Sequence, residues 1–584
     1  MPARLPPSRP SRAIGLIVAL FLAKTLSVAG RDLPVSIWLF PAMFWHDVAV
    51  GAAFWAVDAL LRRPKVMWVP YALVVGYAAV NVPVARVLSS PLTVPMWRAA
   101  RGPLLDSITT YLTPPNLAFI AVVIVAGAAV PFLAIRWSAS IRRVLTAIAF
   151  VLLAAGPFAA NRIDSAGSHR NAITALVGTA FPRLPARAGA DDWRASPFGA
   201  RTGEDLTSFR GSMPNHNVVI VILESTAAQY LAGYGAKDDA TPNLTAFGRQ
   251  SILFEHAYAV YPESIKGLFA LLCARSPALD VPVDAHAAAS CDSLPHLLGA
   301  NGYRTGLFHS GRFMYLGMNE LLARQGFGTL EDAGAIGGNL KSSFGVDEPS
   351  VVARMLSWID ARPAAQKFLL VYAPVAGHHP YASPEAGPFG AGDELGMYRN
   401  ALHYGDRSLG VLLDGLRARG LAEETLLVVF GDHGEAFGQH GGNFGHSSFI
   451  YEENVRVPLV IGRVAGMGGV TGLRVKRLAS VIDIAPTILD LLGLPPARLH
   501  EGTSLLEPRD RMALFYTDYT LGLLGLRDGC WKLIHEIESR RSRLFDVCAD
   551  PGETTDRSGA EPVRVAAYRD RLERWSAAQR AEIR

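Results

Sequence analysis

Three short apolar runs in the second half of this sequence each end in residues that bind metals or move protons. Residues 218–223 (VVIVIL) are followed by Glu224-Ser225-Thr226, and residues 368–372 (FLLVY) lead to Gly377-His378-His379-Pro380-Tyr381. Residues 426–430 (LLVVF) lead to Gly431-Asp432-His433-Gly434-Glu435, with His440 and His446 beyond. Carboxylates and imidazoles are the oxygen and nitrogen donors that hold Zn²⁺, Mn²⁺ or Mg²⁺. Each group alone has a plainer reading. An acid after a strand serves a helix N-terminus, Asp-His-Gly makes a turn, and a loop histidine is satisfied by its neighbours. Three such groups at three strand ends read as one metal-dependent site.

That site needs a nucleophile, and Ser264 is the candidate. It lies in YPESIKGLFALL (261–272), where the apolar stretch after it reads as a helix and puts the serine near the N-terminus. There a helix dipole favours an alkoxide, and a bound cation favours it further. The bland alternative is a serine that only caps the helix. Further candidates for substrate contact are His379, His440, Lys266, His309 and Arg312.

Positioning these groups takes an α/β domain. From Asn217 onward, β-branched runs alternate with amphipathic helices such as 399–416, the pattern of a large, mostly parallel sheet. Ligands of such sheets bind beyond the carboxyl ends of the strands, where the candidates sit. Runs at 513–517, 531–535 and 544–546 indicate a second, smaller antiparallel sheet.

The first 160 residues are of another kind. Apolar runs at about 13–30, 34–61, 66–87, 117–135 and 144–160 each approach the ~20 residues that cross a bilayer as a helix. They explain a mean hydropathy of +0.22 at only 18% charged residues. The net charge of +5 is not a nucleic-acid footprint, because many of the basic residues flank these runs. Arg4, Arg9 and Arg12 precede the first run, Arg31 follows it, and Arg62, Arg63 and Lys65 follow the second. Arg98 and Arg101 lie in the long third loop, and Arg136, Arg142 and Arg143 in the fourth. This alternation puts the N-terminus in the cytoplasm and everything after residue 160 outside. A cleaved signal peptide in the first run is the alternative, opposed by Lys24 and by four later spans.

The expected organisation is therefore a five-helix membrane domain (1–160), a linker rich in Arg, Ala, Gly, Ser and Pro (161–215), and a catalytic domain (216–584). The cysteines agree with export. All four fall in the last part as two local pairs, Cys273 with Cys291 and Cys530 with Cys548, expected as disulfides. The alternative is free buried thiols.

Several motifs together resemble the sulfatase and alkaline-phosphatase superfamily. They are NVVIVILESTAAQYLAGYG (217–235), TPNL (241–244), GDHGEAFGQHG (431–441), YEENVRVP (451–458), DIAPT (483–487) and LFDVCADPGE (544–553). Five apolar spans ahead of them resemble the membrane-anchored branch of phosphoethanolamine transferases and lipoteichoic acid synthases. The resemblance implies one divalent metal on Glu224, Ser264, Asp432 and His433, with His378 and His446 on the substrate side. Ser264 is followed at two and four residues by Lys266 and Leu268, not by the proline and arginine of formylglycine-forming sulfatases.

The expected function is transfer of a phospho-headgroup, of phosphoethanolamine or phosphoglycerol type, from a phospholipid to a glycan or lipid acceptor. The transfer runs through a phosphoserine, at the outer face of a bacterial inner membrane. The alternative is a hydrolase of sulfate or phosphate esters, which the LFDVCADPGE segment resembles more. A catalytically dead binding domain is a third reading, opposed by the intact set of Glu224, Ser264, Asp432 and His433.

Overall fold

The computed structural model describes residues 9–31, 35–61, 63, 65–99, 111–165, 167–189, 191–338, 345–467 and 472–583. Arg4, Arg62 and Arg101, counted among the loop charges, lie outside them. The chain divides into two compact units. One is Met1–Arg183 with His440–Phe444 and Tyr519–Leu521; the other is Leu184–Gln439 with Gly445–Asp518 and Gly522–Arg584.

Each apolar run of the first unit forms a helix: α1 (Arg9–Val28), α2 (Leu39–Leu61), α3 (Trp68–Leu88), α4 (Pro114–Leu133) and α5 (Ala139–Arg162). All five are long and apolar enough to cross a bilayer. Leu16, Leu20, Phe54, Tyr71, Val75 and Val82 pack inward. Leu73, Val125, Phe150 and Val151 face outward, a surface that hydrocarbon solvates and water does not. The charges inside this unit are paired, as a low-dielectric setting requires. Arg12 meets Asp58 at 2.7 Å and Lys24 meets Asp47 at 2.8 Å.

Residues 161–215, read from composition as a linker, are built into both units. A short helix, α6 (Ala172–Gly178), is capped by Asn171, which accepts from Ile173 N at 2.8 Å. Trp193 packs against the core of the small sheet, and Arg194 forms a buried two-pronged pair with Asp483 at 2.5 and 2.7 Å. Local composition carries no trace of partners so far along the chain.

The second unit is built on one large mixed sheet. In chain order its strands are β1 (Asn217–Leu223), β2 (Ile252–Tyr258), β3 (Arg304–His309), β4 (Thr329–Glu331), β5 (Phe368–Ala373), β6 (Thr425–Gly431), β7 (Arg456–Val457), β8 (Leu459–Arg463) and β9 (Leu473–Ser480). They lie side by side as β7-β2-β8-β6-β1-β5-β3-β4, with β9 also on β2. The block β6-β1-β5-β3-β4 is parallel, and β8 joins it antiparallel to both β6 and β2. Alternation along β1 fills both faces. Val218, Ile220 and Ile222 enter one core with α7 (Ser264–Cys273). Val219 and Val221 enter the other with α8 (Glu348–Asp360) and α9 (Glu394–Ala418). Helices on both faces are what a parallel block buried on two sides demands.

A four-stranded antiparallel sheet follows: β10 (Ala513–Thr517), β11 (Leu523–Asp528), β12 (Trp531–Glu536) and β13 (Ser542–Asp546). It packs with α10 (Pro562–Glu582) around Tyr568, Leu572 and Trp575. The sequence reading has three of these strands and misses β11, whose Leu-Gly-Leu pattern is short and flanked by glycines.

Both expected cysteine pairs are joined, Cys273–Cys291 with Cα atoms 5.5 Å apart and Cys530–Cys548 at 5.2 Å. Each closes a loop worth ~3 kcal/mol in chain entropy. Thiol labelling of the unfolded, unreduced protein is expected to find no free cysteine; four labelled thiols would contradict both bridges.

Candidate active site

The carboxyl ends of β1 and β6 lie next to each other in the parallel block, with Leu223 opposite Gly431. The next residues are therefore neighbours although they are some 200 positions apart. Glu224 and Asp432 meet there, and His433 follows. Their donor atoms lie within 4.8 Å of one another. The turn after β1 is tight: Ser225 adopts φ +53°, and its N–H donates to Asp432 Oδ1 at 3.0 Å. A non-glycine residue in that region is held only where its surroundings fix it.

Ser264 is the first residue of α7, and Glu263 occupies the capping position, its carboxylate accepting from Ile265 N at 2.9 Å. The serine is thus not the cap, and its hydroxyl is left for other work. It donates to Glu224 Oε2 at 3.0 Å and stands 3.3 Å from His433 Nε2. The anionic cap also offsets much of the helix dipole expected to favour an alkoxide. Activation of the hydroxyl then falls to the groups around it.

The donor chemistry fits a divalent cation. Asp432 Oδ1 is tied by two N–H groups, Ser225 at 3.0 Å and His433 at 2.8 Å, whereas its buried Oδ2 has no hydrogen-bond partner among the described residues. An orphaned buried carboxylate oxygen is rare without an ion. His433 Nδ1 bonds Gly434 O at 3.0 Å, which fixes the tautomer and turns Nε2, 3.4 Å from Asp432 Oδ2, to the side where it could serve as a ligand. Burial and the neighbouring Glu224 push Asp432 well above the usual carboxylate range. Burial opposes the charge on Glu224 too, but the imidazoles of His433, His378 and His446 outweigh it and hold Glu224 down to about 2. A divalent ion held by both acids would allow both to be charged.

Around this centre stand the other histidines. His446 Nδ1 meets Glu435 Oε2 at 2.7 Å, and Tyr381 OH donates to Glu435 Oε1 at 2.7 Å. Burial works against a charged His446, but Glu435 outweighs it and raises the imidazole to about 9. Its ring lies 4.2 Å from that of His433 and 6.3 Å from that of His378. His378 Nδ1 is turned to His379 O at 2.7 Å. Gly377, at φ +109°, lets this loop pass Glu224: a Cβ there would meet Glu224 O at 2.5 Å.

The remaining candidates are spread more widely. His309 is buried at the end of β3, bonded to Ala373 O at 2.8 Å and stacked on Phe313. Half-buried Arg312 makes no hydrogen bond or ion pair with any described residue. His379 packs edge-on to Tyr381. Lys266 is buried, and its ammonium is engaged by both oxygens of Asp518, at 3.0 and 2.8 Å. His440 belongs to the segment His440–Phe444 of the first unit. Thr226 donates to Glu224 O at 3.0 Å. The sequence reading misses the part played by Glu435, although the residue sits in Asp-His-Gly-Glu beside the candidate ligands.

Residues 216–494 match the family model described as Sulfatase. This part of the chain is a sulfatase-family domain. Lipoteichoic acid synthase 2 of Bacillus subtilis is 25% identical over 234 residues, 38% of this chain and 35% of that protein. Arylsulfatase K of Bos taurus is 31% identical over 186 residues, 29% of this chain and 34% of that protein. The chain thus spans about a third of the length of these curated relatives. The crystal structure of Ps i-CgsB shares the fold of the sulfatase domain, with a TM-score of 0.52 at 18% identity over 63% of this chain and 94% of that one.

Proposed function

We propose that this protein is a membrane-bound, metal-dependent phosphotransferase that moves a phospho-headgroup of phosphoethanolamine or phosphoglycerol type from a phospholipid to a glycan or lipid hydroxyl. The observation that carries the reading is the placement of Ser264 Oγ, 3.0 Å from Glu224 and 3.3 Å from His433, at the buried cluster those residues form with Asp432. Glu224, Asp432, His433 and Ser264 would hold Zn²⁺, Mn²⁺ or Mg²⁺. When bound, the ion supplies Lewis-acid charge to the phosphoryl oxygen and acidifies the serine hydroxyl.

Ser264 Oγ gives up its proton toward Glu224 and attacks phosphorus. The Oγ–P bond forms, the P–O bond to the diacylglycerol breaks, and the leaving oxygen takes a proton from His446 or His378. The acceptor hydroxyl gives its proton to the same imidazole and attacks the phosphoserine; the Oγ–P bond breaks, and Ser264 Oγ takes its proton back from the Glu224 side. Glu435 and Tyr381 orient His446 by holding its Nδ1 side, so that Nε2 meets the oxygen. His309, Arg312 and His379 contact the headgroup in this reading. Five apolar spans bring the domain to the bilayer surface where such a donor lies, with the N-terminus cytoplasmic and the domain in an oxidising outer compartment that suits two disulfides.

A sulfate-ester hydrolase is the second reading, favoured by the similarity to Arylsulfatase K. Mass spectrometry of the full-length protein incubated with candidate phospholipids separates the two. The expected result is a headgroup-phosphate adduct on an otherwise unmodified Ser264. An aldehyde at position 264, with turnover of sulfate esters, would overturn the phosphotransfer reading.

The proton-transfer roles have their own test. His446→Ala is expected to keep the metal and lower the rate by roughly 10²–10⁴. Glu435→Gln, which keeps an acceptor oxygen for the imidazole but removes the charge opposite it, is expected to lose less. A His446→Ala rate equal to wild type would remove that residue from the mechanism.

A further inference from the structure

Glu348 is a buried acid that the chemistry above does not use. It is the first residue of α8 and only 1% exposed. An acid at this position ordinarily serves its own helix, exposed and near the free N–H groups. Here Asp347 does that, accepting from Ser350 N at 3.2 Å and Ser350 Oγ at 2.7 Å. The carboxylate of Glu348 is turned instead to the carboxyl ends of β3 and β5. Oε1 accepts from Ser310 Oγ at 2.8 Å, Val375 N at 3.0 Å and Ala376 N at 3.1 Å, and Oε2 accepts from the Tyr372 hydroxyl. All four donors are neutral, and no cation offsets its burial among the described contacts.

Three of those donors, Ser310, Val375 and Ala376, belong to the loops that carry the substrate-side candidates. Ser310 follows His309 and precedes Arg312 by two residues; Val375 and Ala376 precede His378. Ser310 Oγ also accepts from Val375 N at 2.7 Å, so three groups from two loops converge on one oxygen pair. Next to them Gly377 passes within contact of Glu224 O, so a shift of this loop is felt at the metal-side turn. We propose that Glu348 is a positioning residue that ties the β3 loop to the β5 loop and sets the gap in which the transferred group is held. The inference rests on the functional reading above for the nature of that group, but the tie itself serves a phosphate or a sulfate ester equally. Burial, only partly offset by the hydrogen bonds, pushes the carboxyl up to about 7. A glutamine can therefore imitate it. Its carbonyl takes the three Oε1 bonds and its amide donates to the Tyr372 oxygen.

The test uses the full-length protein in detergent. Metal content is measured, then KM and kcat on a fluorescent phospholipid and on p-nitrophenyl sulfate, and the affinity for phosphoethanolamine and sn-glycerol 1-phosphate by calorimetry. Glu348→Ala is expected to keep its metal and raise KM or Kd about tenfold, with kcat within about threefold. Glu348→Gln is expected to restore both to within about threefold. Unchanged KM and Kd in Glu348→Ala, or Glu348→Gln as damaged as Glu348→Ala, overturns the inference. Wild-type turnover of the sulfate ester alone refutes the phosphotransfer reading, and the same KM comparison on that ester still decides the role of Glu348. If Glu348→Ala does not fold, Ser310→Ala removes one bond from Glu348 and one from Val375. A KM raised about threefold supports the tie, and an unchanged KM rejects it.

Discussion

Ser264→Ala is expected to stop turnover, by about 10⁴-fold or more, while most of the metal stays bound. The size of the effect follows from what the residue would be. A nucleophile cannot be replaced by a neighbouring group unless another hydroxyl reaches the same phosphorus. The neighbouring hydroxyls are buried and engaged, Thr226 with Glu224 O at 3.0 Å and Ser225 with Glu224 Oε1 at 3.0 Å. The metal is expected to survive because Glu224, Asp432 and His433 remain, and three protein ligands are enough to retain a catalytic ion. Folding is not at risk either: Glu263, not Ser264, caps α7. The measurement is metal stoichiometry beside rate on the same preparation. Wild-type turnover in Ser264→Ala would falsify the assignment of the nucleophile.

Asp432→Asn is expected to lose both metal and activity, with the rate falling more than about 10³-fold. The substitution is nearly isosteric, and the asparagine oxygen can still accept from Ser225 and His433 N–H as Oδ1 does. What changes is the other atom. An NH₂ group replaces Oδ2, the oxygen with no hydrogen-bond partner among the described residues, and presents two hydrogens where a cation is expected. Loss of metal with an unchanged melting curve would mark Asp432 as a ligand and nothing more. Full metal occupancy in this variant would mean that the ion sits elsewhere. Taken with Ser264→Ala, the two variants separate ligand from nucleophile by metal content alone.

Much of this arrangement is legible in the sequence because strand ends are. The runs at 218–223, 368–372 and 426–430 are unbroken apolar stretches with a sharp polar stop. The observed strands differ from them by a residue at one or both ends. Once parallel pairing is assumed, Glu224 and Asp432 must share an edge, and Ser264 follows from an apolar helix with a clear start. Electrostatic partners are less visible. Lys266 reads as a substrate contact because it is a cation two residues from the nucleophile, yet Asp518, some 250 positions later, takes its charge. Nothing local marks Asp518 for that purpose.

Several motifs that carry the family resemblance turn out to hold the scaffold together. Asp483 of DIAPT pairs with Arg194, and Asn243 of TPNL donates its N–H to Asp406 at 2.8 Å. Glu553 of LFDVCADPGE accepts from Glu452 N at 2.6 Å. Motif residues of this kind are easy to find from sequence and easy to misread as chemistry. Glu348 shows the converse: an acid in no motif, at a helix start, with three of its four carboxylate bonds to loops of the site.

Fully buried Lys532 of β12 lies 3.0 Å from Glu452 and 3.0 Å from Glu553, while Asp518 holds both Lys266 and the Tyr261 hydroxyl. All of these C-terminal partners come after residue 494, where the sulfatase match ends. A recombinant fragment trimmed to the matched residues would therefore strand Lys266 and Glu452 as uncompensated charges, one of them two residues from the serine. Such a loss costs several kcal/mol for each buried partner removed. The small sheet is part of the foundation of the site, and a soluble fragment meant for crystallisation or assay has to start near Leu184 and run on through α10.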